Sequence, residues 1–151
     1  MIAFALLYCS AGQIAAQDLI PELEVLKPIV NQEWIGRFEN PEETMEIYLK
    51  LEVILKGSAI RQTQNIQEAE DFRSETLYYW DPEAKAIAYI RITNNRYLFK
   101  GFVRVSDAVL VYEGVRYSPD GSSSNTRSER YFDTEGNWIE KGGHTIIYKR
   151  K

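Results

Sequence analysis

His144 and Cys9 are the only imidazole and the only thiol in 151 residues. That excludes a disulfide framework, a zinc cluster and a Cys–His nucleophile pair. His144 follows Gly142-Gly143 in the last strand-like run, where a lone imidazole suits an axial haem ligand, but no second ligand or motif accompanies it. The carboxylates Glu42-Glu43, Glu68/Glu70/Asp71 and Asp133/Glu135 fall in loops or at strand ends. They lack partners that would push their pKa values apart, as acid–base catalysis requires. There is no phosphate loop and no Gly-x-Ser-x-Gly elbow, and Ser122 to Ser124 stand apart in sequence from the histidine. The chemistry expected is therefore binding rather than catalysis, with no cofactor.

The candidate binding residues are Arg61, Glu75, Tyr97, Phe99 and Tyr112. A guanidinium inside a small barrel can receive a carboxylate on its planar fork. For Arg61 the reading stays open on register alone. If Lys56-Gly57 is a two-residue turn, Arg61 lies opposite Glu52 on the outer face, whereas a three-residue loop turns it inward. Tyr97, Phe99 and Tyr112 fall on one apolar face, where they either line a pocket for a small amphipathic molecule or pack as ordinary core.

The elements that must position these residues are strands. Ten Tyr, six Phe and three Trp favour pleated, half-buried surfaces. In 44–55 the apolar set Met45, Ile47, Leu49, Leu51, Val53 and Leu55 alternates with a mostly polar one, so one face is buried. Turn chemistry recurs at Lys56-Gly57, Asp81-Pro82, Asn94-Asn95, Ser106-Asp107, Pro119-Asp120-Gly121 and Glu135-Gly136-Asn137. Between these turns lie strand-like runs near 34–39, 44–55, 58–68, 73–80, 86–93, 96–105, 108–117, 124–133 and 138–149. Eight or nine consecutive strands with no helix between them predict an all-β, up-and-down antiparallel meander, which escapes its edges by closing into a barrel. Two-residue turns at Asn94-Asn95 and Ser106-Asp107 would pair Ile92 with Tyr97 and Val103 with Leu110. The inner face would then hold Ala88, Ile90, Ile92, Tyr97, Phe99, Gly101, Val103, Val105, Ala108, Leu110 and Tyr112, with Arg91, Lys100, Arg104 and Glu113 outside and Lys100 opposite Glu113.

Ahead of the meander, residues 18–30 read as a short amphipathic helical segment. Asp18 is its cap, Leu19, Leu23 and Leu26 share one face, and Pro28 is its stop. Residues 1–17 read as a secretory signal: an uncharged apolar run from Ile2 to Tyr8, then small residues, with cleavage near Ala16/Gln17. This run is too short to span a bilayer. The bulky Tyr8 before Cys9 breaks the small-residue pattern of a lipoprotein acceptor, so Cys9 is expected to leave with the signal. One domain, 18–151, remains, and its expected location is secreted or periplasmic. The net charge of −4 argues against nucleic-acid phosphates or anionic lipid as partners.

Several pieces resemble secreted bacterial proteins of unknown function with a calycin-like (lipocalin-like) barrel. They are Leu26-Lys27-Pro28-Ile29 followed by Trp34-Ile35-Gly36; Leu55-Lys56-Gly57 with Ala59 and Arg61; Glu75 with Tyr79-Trp80-Asp81; and Asp120-Gly121 before a strand with Arg127. The resemblance covers about residues 23–140 and departs from the lipocalin Gly-x-Trp, since Gln32 stands where the glycine would be. It implies a barrel plugged at one end by a helix on which the first-strand Trp packs, and it implies no activity. The function expected is binding of a small hydrophobic or amphipathic molecule. The alternatives are a filled barrel acting as an envelope interaction module through aromatics such as Tyr48 and Tyr89, and an enzyme or haem barrel using His144.

Overall fold

The computed structural model describes residues 18–40, 42, 44–67 and 72–151, so the expected signal segment and cleavage point lie outside the described residues. Ten strands form one closed antiparallel barrel in which each strand pairs with its sequence neighbours and the last closes on the first. They are β1 (Gln32–Phe38), β2 (Glu46–Ile54), β3 (Ala59–Ile66), β4 (Arg73–Asp81), β5 (Ala86–Thr93), β6 (Leu98–Ser106), β7 (Val109–Tyr117), β8 (Ser123–Phe132), β9 (Trp138–Lys141) and β10 (Thr145–Arg150). The expected eight or nine become ten because the run 138–149 is two strands. Gly142-Gly143-His144 reverses the chain inside it, with the Gly142 N–H donating to the His144 carbonyl at 3.0 Å. His144 therefore sits in a connection, not in the last strand.

The segment before β1 is a 3-10 helix, Pro21–Ile29, rather than an amphipathic α-helical turn stopped by Pro28. Three residues per turn stack Leu23, Leu26 and Ile29 in a single row, and all three are buried. Pro28 lies inside the helix, and Asp18 does not cap it; the capping position is Ile20, with no side-chain bond. The loose carbonyls at the C-terminal end are taken by the next strand: Gln32 Nε2 donates to the Pro28 carbonyl and Trp34 Nε1 to that of Ile29, each at 3.1 Å. The helix thus stops one end of the barrel, with Trp34 packed on it. The Ile20 N–H donates to the Gly57 carbonyl at 3.2 Å, tying the β2–β3 loop to the same end. Only glycine fits there: φ is +90°, and a Cβ would stand 2.0 Å from the Asp18 carbonyl oxygen. Leu55, expected on the inner face, has entered this loop at φ 50° and is 70% exposed.

Two turns decide which side chains face inward. The β5–β6 connection is a three-residue loop, Asn94 to Arg96, with Arg96 left-handed at φ 67°. Ile92 therefore pairs with Leu98 rather than Tyr97, and that one-residue slip turns β5 over. Tyr89, Arg91 and Thr93 face inward, while Ala88, Ile90 and Ile92 lie on the outer wall, with Ile92 59% exposed. In the β6–β7 hairpin the turn is Asp107-Ala108, both at positive φ, one residue later than expected. The pairing shifts by two, so Val103 opposes Tyr112 and the inner positions Phe99, Gly101, Val103, Leu110 and Tyr112 survive, whereas Val105 is 52% exposed and Ala108 has entered the turn. Lys100 consequently faces Val115, and Glu113 instead pairs with Arg127 at 2.7 Å.

Candidate functional site

Alternation along the ten strands builds an interior that changes character from end to end. At the helix-plugged end the buried residues are Leu23, Leu26, Leu51, Ile60, Ile87, Val103 and Leu110 with Trp34 and Trp138, a tight apolar core. Towards the other end the inward positions turn polar: Gln62, Gln64, Ser74, Thr76 and Thr93 are buried beside Arg91, Arg130 and Glu140. There the side chains leave a cavity of about 420 Å³. Tyr78, Tyr89, Tyr112 and Arg130 line it, together with Arg91, Phe99, Glu140 and Ile146. Its mouth runs along Asn125 to Ser128 and Gly142 to His144. The short β9 makes this mouth, since it pairs with β8 only over Glu129–Phe132 and leaves residues 123–128 paired with β7 alone.

Three phenol rings form the aromatic lining. The Tyr89 and Tyr112 centroids are 5.7 Å apart, and Tyr78 stands edge-on to Tyr112 at 6.2 Å. Room for the Tyr89 hydroxyl comes from Gly114, where a Cβ would lie 2.7 Å from that oxygen and 2.3 Å from the Lys100 carbonyl oxygen. Tyr78 donates to Gln62 Oε1 at 2.9 Å, whereas the buried Tyr112 hydroxyl finds no partner among the described residues. Burial raises the pKa of the Tyr112 phenol well above its ordinary value and does the same for Tyr148.

The charged groups form two unequal sets. Arg130, only 7% exposed, donates through Nη2 to Glu140 Oε1 at 3.2 Å, and Tyr148 donates to Glu140 Oε2 at 3.3 Å. Its guanidinium carbon stands 4.2 Å from the Tyr112 ring centre and 5.3 Å from that of Trp138. Burial is the largest single influence and opposes its charge, but Glu140 together with the Tyr112, Tyr78 and Tyr148 oxygens outweighs it and raises the guanidinium pKa well above its ordinary value. The Nε and Nη1 groups of Arg130 still find no acceptor among the described residues. Arg91 donates Nε to Ser74 Oγ at 3.2 Å and lies over Phe99 at 5.2 Å. Among the described residues no carboxylate pairs with it, and burial lowers its pKa.

Phe99 and Tyr112 line the cavity; the other three expected residues do not. Arg61 lies outside, opposite Glu52 and 3.0 Å from its carboxylate, the outward alternative of the sequence reading. Glu75 is exposed on the outer face of β4, between Thr63 and Ile92. Tyr97 is half-buried in the β5–β6 loop, where Arg116 stacks on its ring at 5.6 Å. Tyr89, expected as an exposed aromatic, is buried in the lining, while Tyr48 is on the outer face, donating to Glu46 and Gln67.

Arg91, Arg130 and Glu140 escaped the sequence reading for separate reasons. Arg91 was sent outward by the turn length. Arg130 follows Ser124, Thr126 and Ser128 on a face with no apolar pattern to mark it as inner. Glu140 has only Trp138 beside it on a four-residue strand. His144 stands at the mouth with its ring edge-on to Phe38 at 5.6 Å. Among the described residues no group of three or more His, Cys, Asp or Glu could hold a metal ion, and no helix is long and apolar enough to cross a membrane. No protein-family model matches this chain and no curated protein matches its sequence, so the functional reading rests on the barrel and its cavity.

Proposed function

We propose that this chain is a secreted or periplasmic, calycin-like barrel that holds a small hydrophobic or amphipathic molecule in the open half of its interior. The observation that carries the reading is the cavity of about 420 Å³, walled in part by the rings of Tyr78, Tyr89, Phe99 and Tyr112 and open along residues 125–128 and 142–144. Its volume falls in the range of about 300–1,000 Å³ typical of small-molecule pockets, and its lining mixes ring faces with a few fixed polar groups. Native mass spectrometry of protein purified gently from its host tests this. A retained small molecule is the expected result, and a bare mass under several conditions refutes it. Export is tested on the same material: the mature chain should begin near Gln17, and a chain beginning at Met1 refutes the signal reading.

A second reading, an interaction module working through the outer wall, is favoured by a different observation. Leu77 faces Ile90 across β4–β5, and Ile92, Leu98 and Tyr117 continue an apolar row over β5–β7. Contiguous exposed apolar surface of this kind marks contact sites. Ile92→Lys should then abolish capture of a partner from the host envelope without changing ligand content. Haem is tested by mixing: no Soret band removes His144 as an axial ligand.

A further inference from the structure

We infer that the molecule in the barrel is a compact amphipathic carboxylic acid, its carboxylate received by Arg91. This rests on the ligand-binding reading and adds the charge and head group of the ligand. Three guanidiniums, Arg91, Arg127 and Arg130, and one carboxylate, Glu140, line the cavity, and Arg127 at the mouth is held by Glu113 and Glu129. Glu140 is hydrogen-bonded by Arg130 and Tyr148 and acts on Arg91 only through space, so Arg91 forms no ion pair among the described residues. A charge held away from water without a partner is costly, and an anion entering the cavity removes that cost.

The donors are also oriented. Ser74 Oγ accepts from Arg91 Nε and itself donates to Gln64 Oε1 at 3.5 Å, fixing one edge of the fork. The terminal nitrogens are left for a planar, two-oxygen acceptor. The Arg130 Nε and Nη1 groups, unsatisfied among the described residues, are enclosed behind the cavity wall and add only their positive charge. A carboxylate suits the Arg91 fork because it brings acceptors and no hydrogens. The body of the acid would lie against Phe99, Ile146 and the tyrosine rings, and the helix-plugged apolar core limits how deep it reaches.

The test titrates 2-naphthoic acid, 2-naphthalenemethanol and inorganic phosphate separately into the full chain near neutral pH. Binding is followed by calorimetry and by the arginine Nε–H resonances. The acid should bind about ten- to a hundredfold more tightly than the alcohol, the ratio expected of charge-assisted bonds, and should move the Arg91 resonance. Arg91→Met should erase that ratio while leaving the alcohol within about twofold of its parent affinity. Arg91→Lys, which keeps the charge without the fork, should retain only part of the ratio and guards against misfolding of the Met variant. Arg61→Met, on the outer wall, should change nothing. Equal binding of alcohol and acid overturns the acid inference and leaves the carrier reading standing. Phosphate binding as tightly as the acid overturns it in favour of a bare anion site. Failure of both naphthalene ligands to bind, together with a bare mass from the host, overturns the carrier reading as well.

Discussion

Replacing Arg130 by Met asks whether the buried charge pair is a structural necessity or a local convenience. Arg130 is 7% exposed, and its Nη2 is the donor that compensates Glu140 at 3.2 Å. Stranding that carboxylate costs about 3–4 kcal/mol, the lower end for broken buried pairs, because Glu140 keeps some contact with water. Losing the guanidinium over Tyr112 at 4.2 Å costs about 1 kcal/mol more. Against this, the two unsatisfied donors vanish, returning about 1–2 kcal/mol. The net loss should be about 2–4 kcal/mol, or a fall in Tm of about 6–20 °C for a domain this size. Adding Glu140→Gln keeps an oxygen for Tyr148 but removes the stranded charge, so the double variant should recover to within about 1 kcal/mol of the parent. Chemical denaturation of the four proteins in a double-mutant cycle is the assay. Additive losses, with no coupling beyond about 0.5 kcal/mol, would refute the reasoning.

Three further outcomes follow from the same geometry. Gly114→Ala places a Cβ 2.3 Å from the Lys100 carbonyl oxygen and should destabilise the barrel by about 2 kcal/mol or more. Gly143→Ala, with nothing within 4 Å, should stay within about 0.5 kcal/mol; equal losses in a thermal melt would count against the close β6–β7 contact. Ala108→Gly should stabilise by about 1 kcal/mol, since Ala108 holds φ 64° in the Asp107-Ala108 turn and glycine adopts it without strain; no gain in the denaturation midpoint would argue against that turn. Burial raises the pKa of Tyr89, Tyr112 and Tyr148, so the stability these phenols lend is complete below their unfolded pKa near 10 and is lost as pH rises through the folded values. Tyrosinate absorbance at alkaline pH should show them ionising only with the loss of circular dichroism, and ionisation of every tyrosine in an intact fold would contradict their burial.

Much of this barrel was legible in the chain. The alternation of Ile47, Leu49 and Leu51, the turn residues between runs and the Leu23–Leu26–Ile29 spacing depend on local periodicity, which a sequence displays directly. The Glu52–Arg61 pairing was only one of two registers the sequence allowed, since the length of the loop at Lys56-Gly57 decides between them. Faces were harder. Strand β5, Ala-Ile-Ala-Tyr-Ile-Arg-Ile-Thr, is apolar on both sides, so nothing local says which side is in. A single residue of loop length decides it, and Arg96 taking a left-handed φ is invisible in the residue types.

The sequence by itself determined the all-β class, the short connections, the plug before β1 and the absence of a sustained catalytic motif. All of these are consequences of composition and near-neighbour order. Only the tertiary structure decided that the wall closes at ten strands and that β9 stops short of the full height of β8. It alone brought Arg91, Arg130, Glu140 and three tyrosines from four strands and more around one cavity. The physical reason is that inward charge has no periodic signature. A buried arginine is tolerated because of partners supplied from distant strands, and those partners are set by closure of the barrel rather than by any stretch of chain.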